Sequence, residues 1–165
     1  MGDTYKKIRL AAVQAAPAFL DREASVEKAC RLIREAGRNG ADVIGFPEGF
    51  IPTHPGWFNF LPAVGDQALL LSRELFKNAV EIPSGATDEL CRACREANIV
   101  AVVGLNEKLP NTTGTMWNTQ VFIDRILTTL LVLVNRTVGV MGQCAIDVEH
   151  NALRLVAVHH SSQRL

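Results

Sequence analysis

Residues 8–14, Ile8-Arg-Leu-Ala-Ala-Val-Gln14, make a short, mostly apolar run closed by Pro17, the pattern of a buried strand. Asp21 then offers an N-cap, and Glu23 suits the first turn of a helix. Val26, Ala29, Cys30, Ile33 and Gly37 recur on one helical face, with Glu27, Lys28, Arg31, Arg34 and Glu35 largely opposite. Gly37 and Gly40 are expected to stop this helix. Asp42-Val-Ile-Gly-Phe46 reads as a second strand, ended by Pro47, which removes a donor and holds Phe46 extended. Strand, helix and strand at this spacing predict a parallel βαβ unit.

Beyond it lies a loop from Glu48 to Gly65 rich in Pro, Gly and aromatic residues: Phe50, Pro52, His54, Pro55, Trp57, Phe58, Phe60 and Pro62. Loops of more than about a dozen residues without structure of their own are usually functional. Helical spacing resumes over 66–80 and again over 84–98. The run Ile99-Val-Ala-Val-Val-Gly104 reads as another buried strand, residues 108–115 as a turn-rich connection, and Trp117-Asn-Thr-Gln-Val-Phe-Ile123 as an alternating strand. After Ile123 the texture changes. Residues 126–134 have the apolar character of a strand. The remainder, 135–165, is weakly patterned and is expected to pack poorly. The stretch after Ile123 holds three of the four histidines and no lysine, the last being Lys108.

A length of 165 residues allows one domain with a sizeable core. With 48% hydrophobic residues, 21% charged and a formal net charge of zero, the composition is that of a soluble globular protein. It lacks the basic excess of a nucleic-acid binder. The start does not resemble a signal peptide, because Arg9, Gln14 and Pro17 interrupt the apolar run. No apolar stretch is long enough to span a bilayer. The expected location is the cytoplasm, with neither nucleic acid nor membrane as partner.

Cys30, Cys91, Cys94 and Cys144 do not make a disulfide framework. Cys91 and Cys94 form a C-x-x-C, but with helical character around them and no second ligand pair nearby they read as small apolar residues on adjacent turns. A C-x-x-C metal or redox module stays as an alternative that zinc content or a thiol titration would reveal. His159-His160 lacks a third ligand at sensible spacing and reads as part of a frayed terminus.

Glu48 stands out. α/β proteins place reactive groups just beyond the carboxyl ends of core strands. Pro47 fixes the exit, so Glu48 is expected at the lip of the sheet, its side chain directed into a cleft under the aromatic loop. There partial burial would raise its pKa toward the working range of a general base.

Several segments resemble the nitrilase, or carbon–nitrogen hydrolase, superfamily. They are Lys7-Ile-Arg-Leu-Ala-Ala-Val-Gln-Ala-Ala-Pro17, Phe19-Leu-Asp21, Gly40-Ala-Asp-Val-Ile-Gly-Phe-Pro-Glu-Gly-Phe50, Ala97-Asn-Ile-Val-Ala-Val-Val-Gly-Leu-Asn-Glu107 and Trp117-Asn-Thr-Gln120. The Ile51-Pro-x-x-Pro55 loop and the Thr112-Thr-Gly-Thr115 hairpin look most like the nitrilase branch itself. The resemblance implies an α/β fold, here an incomplete nitrilase-type α-β-β-α sandwich half. It divides the chain into 1–123, the amino-terminal part of that domain, and 124–165, a divergent or truncated tail. It also implies homo-oligomers, a small-molecule nitrile or amide substrate, and no cofactor or metal. The family uses a glutamate, a lysine and a cysteine, and Glu48 matches the glutamate, the general base that draws the proton from the thiol.

The other two members have no match. Where the lysine is expected, the chain has Val134-Asn-Arg-Thr-Val-Gly-Val-Met-Gly-Gln143, with Arg136 and no lysine, and Gln143 in place of a second glutamate. Arginine is not a substitute, since its planar, permanently charged head differs from a compact ammonium. Cys144 lacks the nucleophile's setting, being followed by Ala-Ile-Asp. Truncation, with a tail altered or frame-shifted after Ile123, is the expectation, and the reading frame downstream would decide it. Two functions remain open: a nitrilase-type hydrolase, or a non-catalytic binding or assembly subunit derived from one. Release of ammonia from a nitrile separates them. Trp57, Phe58 and Phe60 fit either an apolar substrate or a core or interface role.

Overall fold

The structure, a computed structural model, describes residues 7–112 and 114–125, together with the backbone of Leu130–Val140 and Leu155–Val158. Its elements run β1 (Leu10–Ala12), α1 (Arg22–Arg38), β2 (Val43–Gly45), a 3-10 turn (Gly56–Asn59), α2 (Asp66–Asn78), α3 (Gly85–Ala97), β3 (Val100–Lys108), β4 (Thr115–Ile123), β5 (Leu130–Val140) and β6 (Leu155–Val158). The strands form one sheet in sequence order. The first three run parallel, with Leu10 beside Val43 and Val43 beside Val100, and β4 to β6 continue the sheet antiparallel. The βαβ unit predicted from the spacing is therefore present, and β1, β2 and β3 lie in one sheet.

α1 starts where Asp21 accepts a hydrogen bond from Ala24 N–H at 2.9 Å. Removing that acceptor in Asp21→Ala is expected to cost about 1 kcal/mol, the usual worth of an N-cap, read as a fall in the urea midpoint with the m-value unchanged. The helix ends at Arg38, between Gly37 and Gly40 as expected, with Asn39 as its cap. Gly37 also serves a close approach: a Cβ there would lie 2.6 Å from Ala97 O of α3. α1 and α3 share one core with the sheet. Val26, Ala29, Cys30 and Ile33 of α1 and Leu90, Ala93 and Cys94 of α3 meet Ile44, Ala101, Val103, Leu105, Val121 and Ile123. The alternation along β3 and β4 aims these strand residues at the helices.

Residues 8–14, expected to be a buried strand, are shorter and more open. β1 has three residues at the edge of the sheet, and Leu10 is 69% exposed. The helices cover one face of the sheet, and Ile8 and Leu10 stand open to solvent. β3 exceeds its predicted length because its last three residues, Asn106-Glu107-Lys108, are polar and break the apolar pattern. The expectation for 135–165 falls largely outside the described residues. Of the stretch after Ile123, β5 pairs with β4 and β6 with β5.

Candidate functional site

Past β2 the chain does not leave the sheet. Phe46 N–H donates to Val102 O at 2.9 Å, Ile51 N–H to Gly104 O at 3.3 Å, and Asn106 N–H to Ile51 O at 2.9 Å. The segment from Phe46 to Thr53 is thus stitched along β3, and residues 47–49 bow out between two stitches. The bow fits only because β3 has a glycine beneath it. A Cβ on Gly104 would lie 2.9 Å from Glu48 Cα and Gly49 N, and closer still to Pro47 O. Phe46 and Phe50 anchor the two sides, both buried and packed edge to face with centroids 5.0 Å apart. Such a pair contributes about 0.5–1.5 kcal/mol beyond its area. Asn106 completes the seat, its Nδ2 donating to Thr53 O at 2.8 Å.

Glu48 occupies the crest of this bow, at the carboxyl end of β2 as the exit through Pro47 predicts. Its Oε1 accepts a hydrogen bond from Asn118 Nδ2 on β4, and His54 Nδ1 stands 3.9 Å from the same oxygen. The expected shielding is corrected, since the Glu48 side chain is 57% exposed. The reason lies in the loop. Trp57 turns into a satellite core with Ala68 and Leu75, against Leu20, Leu61, Leu71 and Met116, while Phe60 is 86% exposed and Phe58 stands in solvent. Trp57 is therefore a core residue. The loop is also less open than predicted, being stitched to β3 as far as Thr53 and then coiled into the 3-10 turn.

Sequence reasoning missed Asn118, Asn106 and Gly104 as supports of Glu48, and His54 as its neighbour. The available signal was local. Asn118 is the polar outward residue beside the inward Trp117 and Thr119, and Gly104 interrupts a run of branched residues. Cys144, Gln143 and His159-His160 lie outside the described residues, and so does the Arg136 side chain. The cleft lined by Arg22, Glu23, Glu81, Ser84 and Glu89 runs between the amino-terminal ends of α1 and α3, and Glu48 is not on its wall.

The C-x-x-C reads as core. Burial pushes the Cys30 thiol up to about 11 and the Cys94 thiol up to about 12, and raises Cys91 as well. Among the described residues, no three His, Cys, Asp or Glu side chains are placed to hold a metal ion. A raised thiol pKa means little thiolate near neutrality. In a Cys144→Ser variant, Cys30 and Cys94 should react with a disulfide reagent at pH 8 about a hundredfold or more slower than free cysteine, and at ordinary rates in denaturant. Fast labelling of the native protein would contradict their burial.

The profile of the carbon–nitrogen hydrolase family matches residues 9–130. A nitrilase of Bacillus sp. (strain OxB-1) is 42% identical over 120 residues, covering 73% of this chain and 34% of its own. An arylacetonitrilase of Aspergillus oryzae is 35% identical over 105 residues, 64% of this chain and 30% of its own. The chain thus spans about a third of the length of the curated relatives it matches. A crystal structure of a CN-hydrolase superfamily protein from Xanthomonas campestris aligns with a TM-score of 0.57 at 11% identity, covering 80% of this chain and 42% of that one. At that identity the match concerns the fold: a partial sheet with helices, an incomplete form of the nitrilase architecture.

Proposed function

The chain belongs to the carbon–nitrogen hydrolase family, and from that premise we propose that it is the amino-terminal part of a nitrile-acting member in which Glu48 is the general base. The observation that carries this is the Glu48 seat. A carboxylate is held at the end of a core strand by a backbone bow that β3 accommodates only through Gly104, with one of its oxygens engaged by Asn118. The likeness to a nitrilase and an arylacetonitrilase supports the substrate class.

The chemistry rests on a free thiol being mostly protonated near neutral pH. Glu48 takes the thiol proton, and the thiolate adds to the nitrile carbon while the nitrogen takes up a proton, giving a thioimidate. Water adds to that carbon, and ammonia leaves as the thioester forms. A second water releases the carboxylic acid and returns the proton to sulfur. A lysine ammonium stabilises the charge that develops at each tetrahedral centre. The lysine and the cysteine have no matched position in residues 1–165, so the activity belongs to a form of the protein that contains both.

A chimera joining residues 1–130 to the remaining part of the Bacillus nitrilase tests the reading. It should release ammonia from phenylacetonitrile and leave the acid, whereas the chain alone should release none. Hydrolysis of phenylacetamide without any of the nitrile would overturn the substrate class. The exposed Ile8 and Leu10 on the open side of the sheet favour a second reading, a non-catalytic assembly subunit. A folded chimera without any hydrolysis would favour that one.

A further inference from the structure

We propose that Asn118 is the positioning residue for Glu48, a role that rests on Glu48 being the base. Exposed glutamates ordinarily sample many rotamers. This one is 57% exposed and still partnered, through the Asn118 amide on Oε1. The donor sits on a rigid element. β4 lies between β3 and β5, and Asn118 faces Asn106 across the first ladder and Thr137 across the second. The register with β5 shifts between Asn118 and Gln120, and irregularities of this kind re-aim side chains beside sites.

The two asparagines opposite one another divide the work. Asn106 holds the far end of the bow through Thr53 O and Ile51 O, and Asn118 holds its crest through the carboxylate. The chemistry of the donor suits a base. An amide N–H is neutral and does not titrate, so it fixes the carboxylate in place without adding a charge of its own. His54 Nδ1, at 3.9 Å, is beyond hydrogen-bond length from Oε1 and is, among the described residues, the other titratable group facing the carboxylate.

The test is nuclear magnetic resonance of the chain itself, which does not require catalysis. With labelled asparagine and glutamate side chains, the Asn118 amide protons should follow the same titration as the Glu48 carboxyl carbon. That step should vanish in Glu48→Gln and persist in His54→Gln. In Asn118→Ala the order of the Glu48 side chain should fall to that of Glu27, an exposed glutamate of α1, while backbone signals of β3 and β4 away from the substitution stay put. Asn118 amide signals that ignore Glu48, or that respond only to His54, overturn the proposal even if Asn118→Ala fails to fold. The base assignment fails separately, through undiminished turnover of Glu48→Gln in the full-length chimera.

Discussion

Gly104→Ala is expected to destabilise the protein by about 1–3 kcal/mol, at the upper end of that range, and to unseat the bow that carries Glu48. The added methyl would meet backbone rather than a flexible side chain: Glu48 Cα and Gly49 N at 2.9 Å, and Pro47 O nearer. Backbone held by stitches on both sides, at Phe46 and Ile51, has no rotamer through which to escape. The bow must lift or β3 must bend away from it. Gly45→Ala is the matched control, since a Cβ there meets nothing within 4 Å, and it should be close to neutral or stabilising by up to about 1 kcal/mol. Urea unfolding of both variants checks the difference, and amide spectra locate the damage. Equal stability of the two would mean that the bow does not need the glycine.

The features legible in the sequence are those that local chemistry sets. Asp21 followed by a 3.6-residue apolar period specifies α1, and Pro47 after an apolar run specifies both the end of β2 and the place of Glu48. The illegible ones depend on residues distant in sequence. The packing role of Gly37 escapes a local reading because it answers to Ala97 on another helix. β3 runs past Gly104 with residues that are polar for tertiary reasons: Asn106 satisfies the backbone of Ile51 and Thr53. The exposure of Glu48 is hidden for a related reason, since a loop rich in aromatics need not fold over the nearest functional group. Trp57 has a better partner in the apolar face of α2, at Ala68 and Leu75. Glu48 itself is legible as the residue of interest. Its holder, Asn118, is not, because a contact spanning 70 residues has no local signature.

In the chimera bearing the lysine and the cysteine, Glu48→Gln should lower the rate of ammonia release by about a hundredfold to ten-thousandfold, the usual worth of a positioned general base. At about 1.4 kcal/mol per tenfold, that is roughly 3–6 kcal/mol of transition-state stabilisation. Stability should hardly move, changing by less than about 0.5 kcal/mol, because the side chain is largely exposed and glutamine keeps its length. The glutamine carbonyl oxygen can still accept from Asn118, so the seat survives and only the basic oxygen is lost. Glu48→Asp separates basicity from placement: it keeps the carboxylate but draws it back by one methylene from Asn118. It should therefore retain more activity than glutamine and less than glutamate. A variant that kept most of its turnover would remove Glu48 from the chemistry and leave the seat as a structural feature alone.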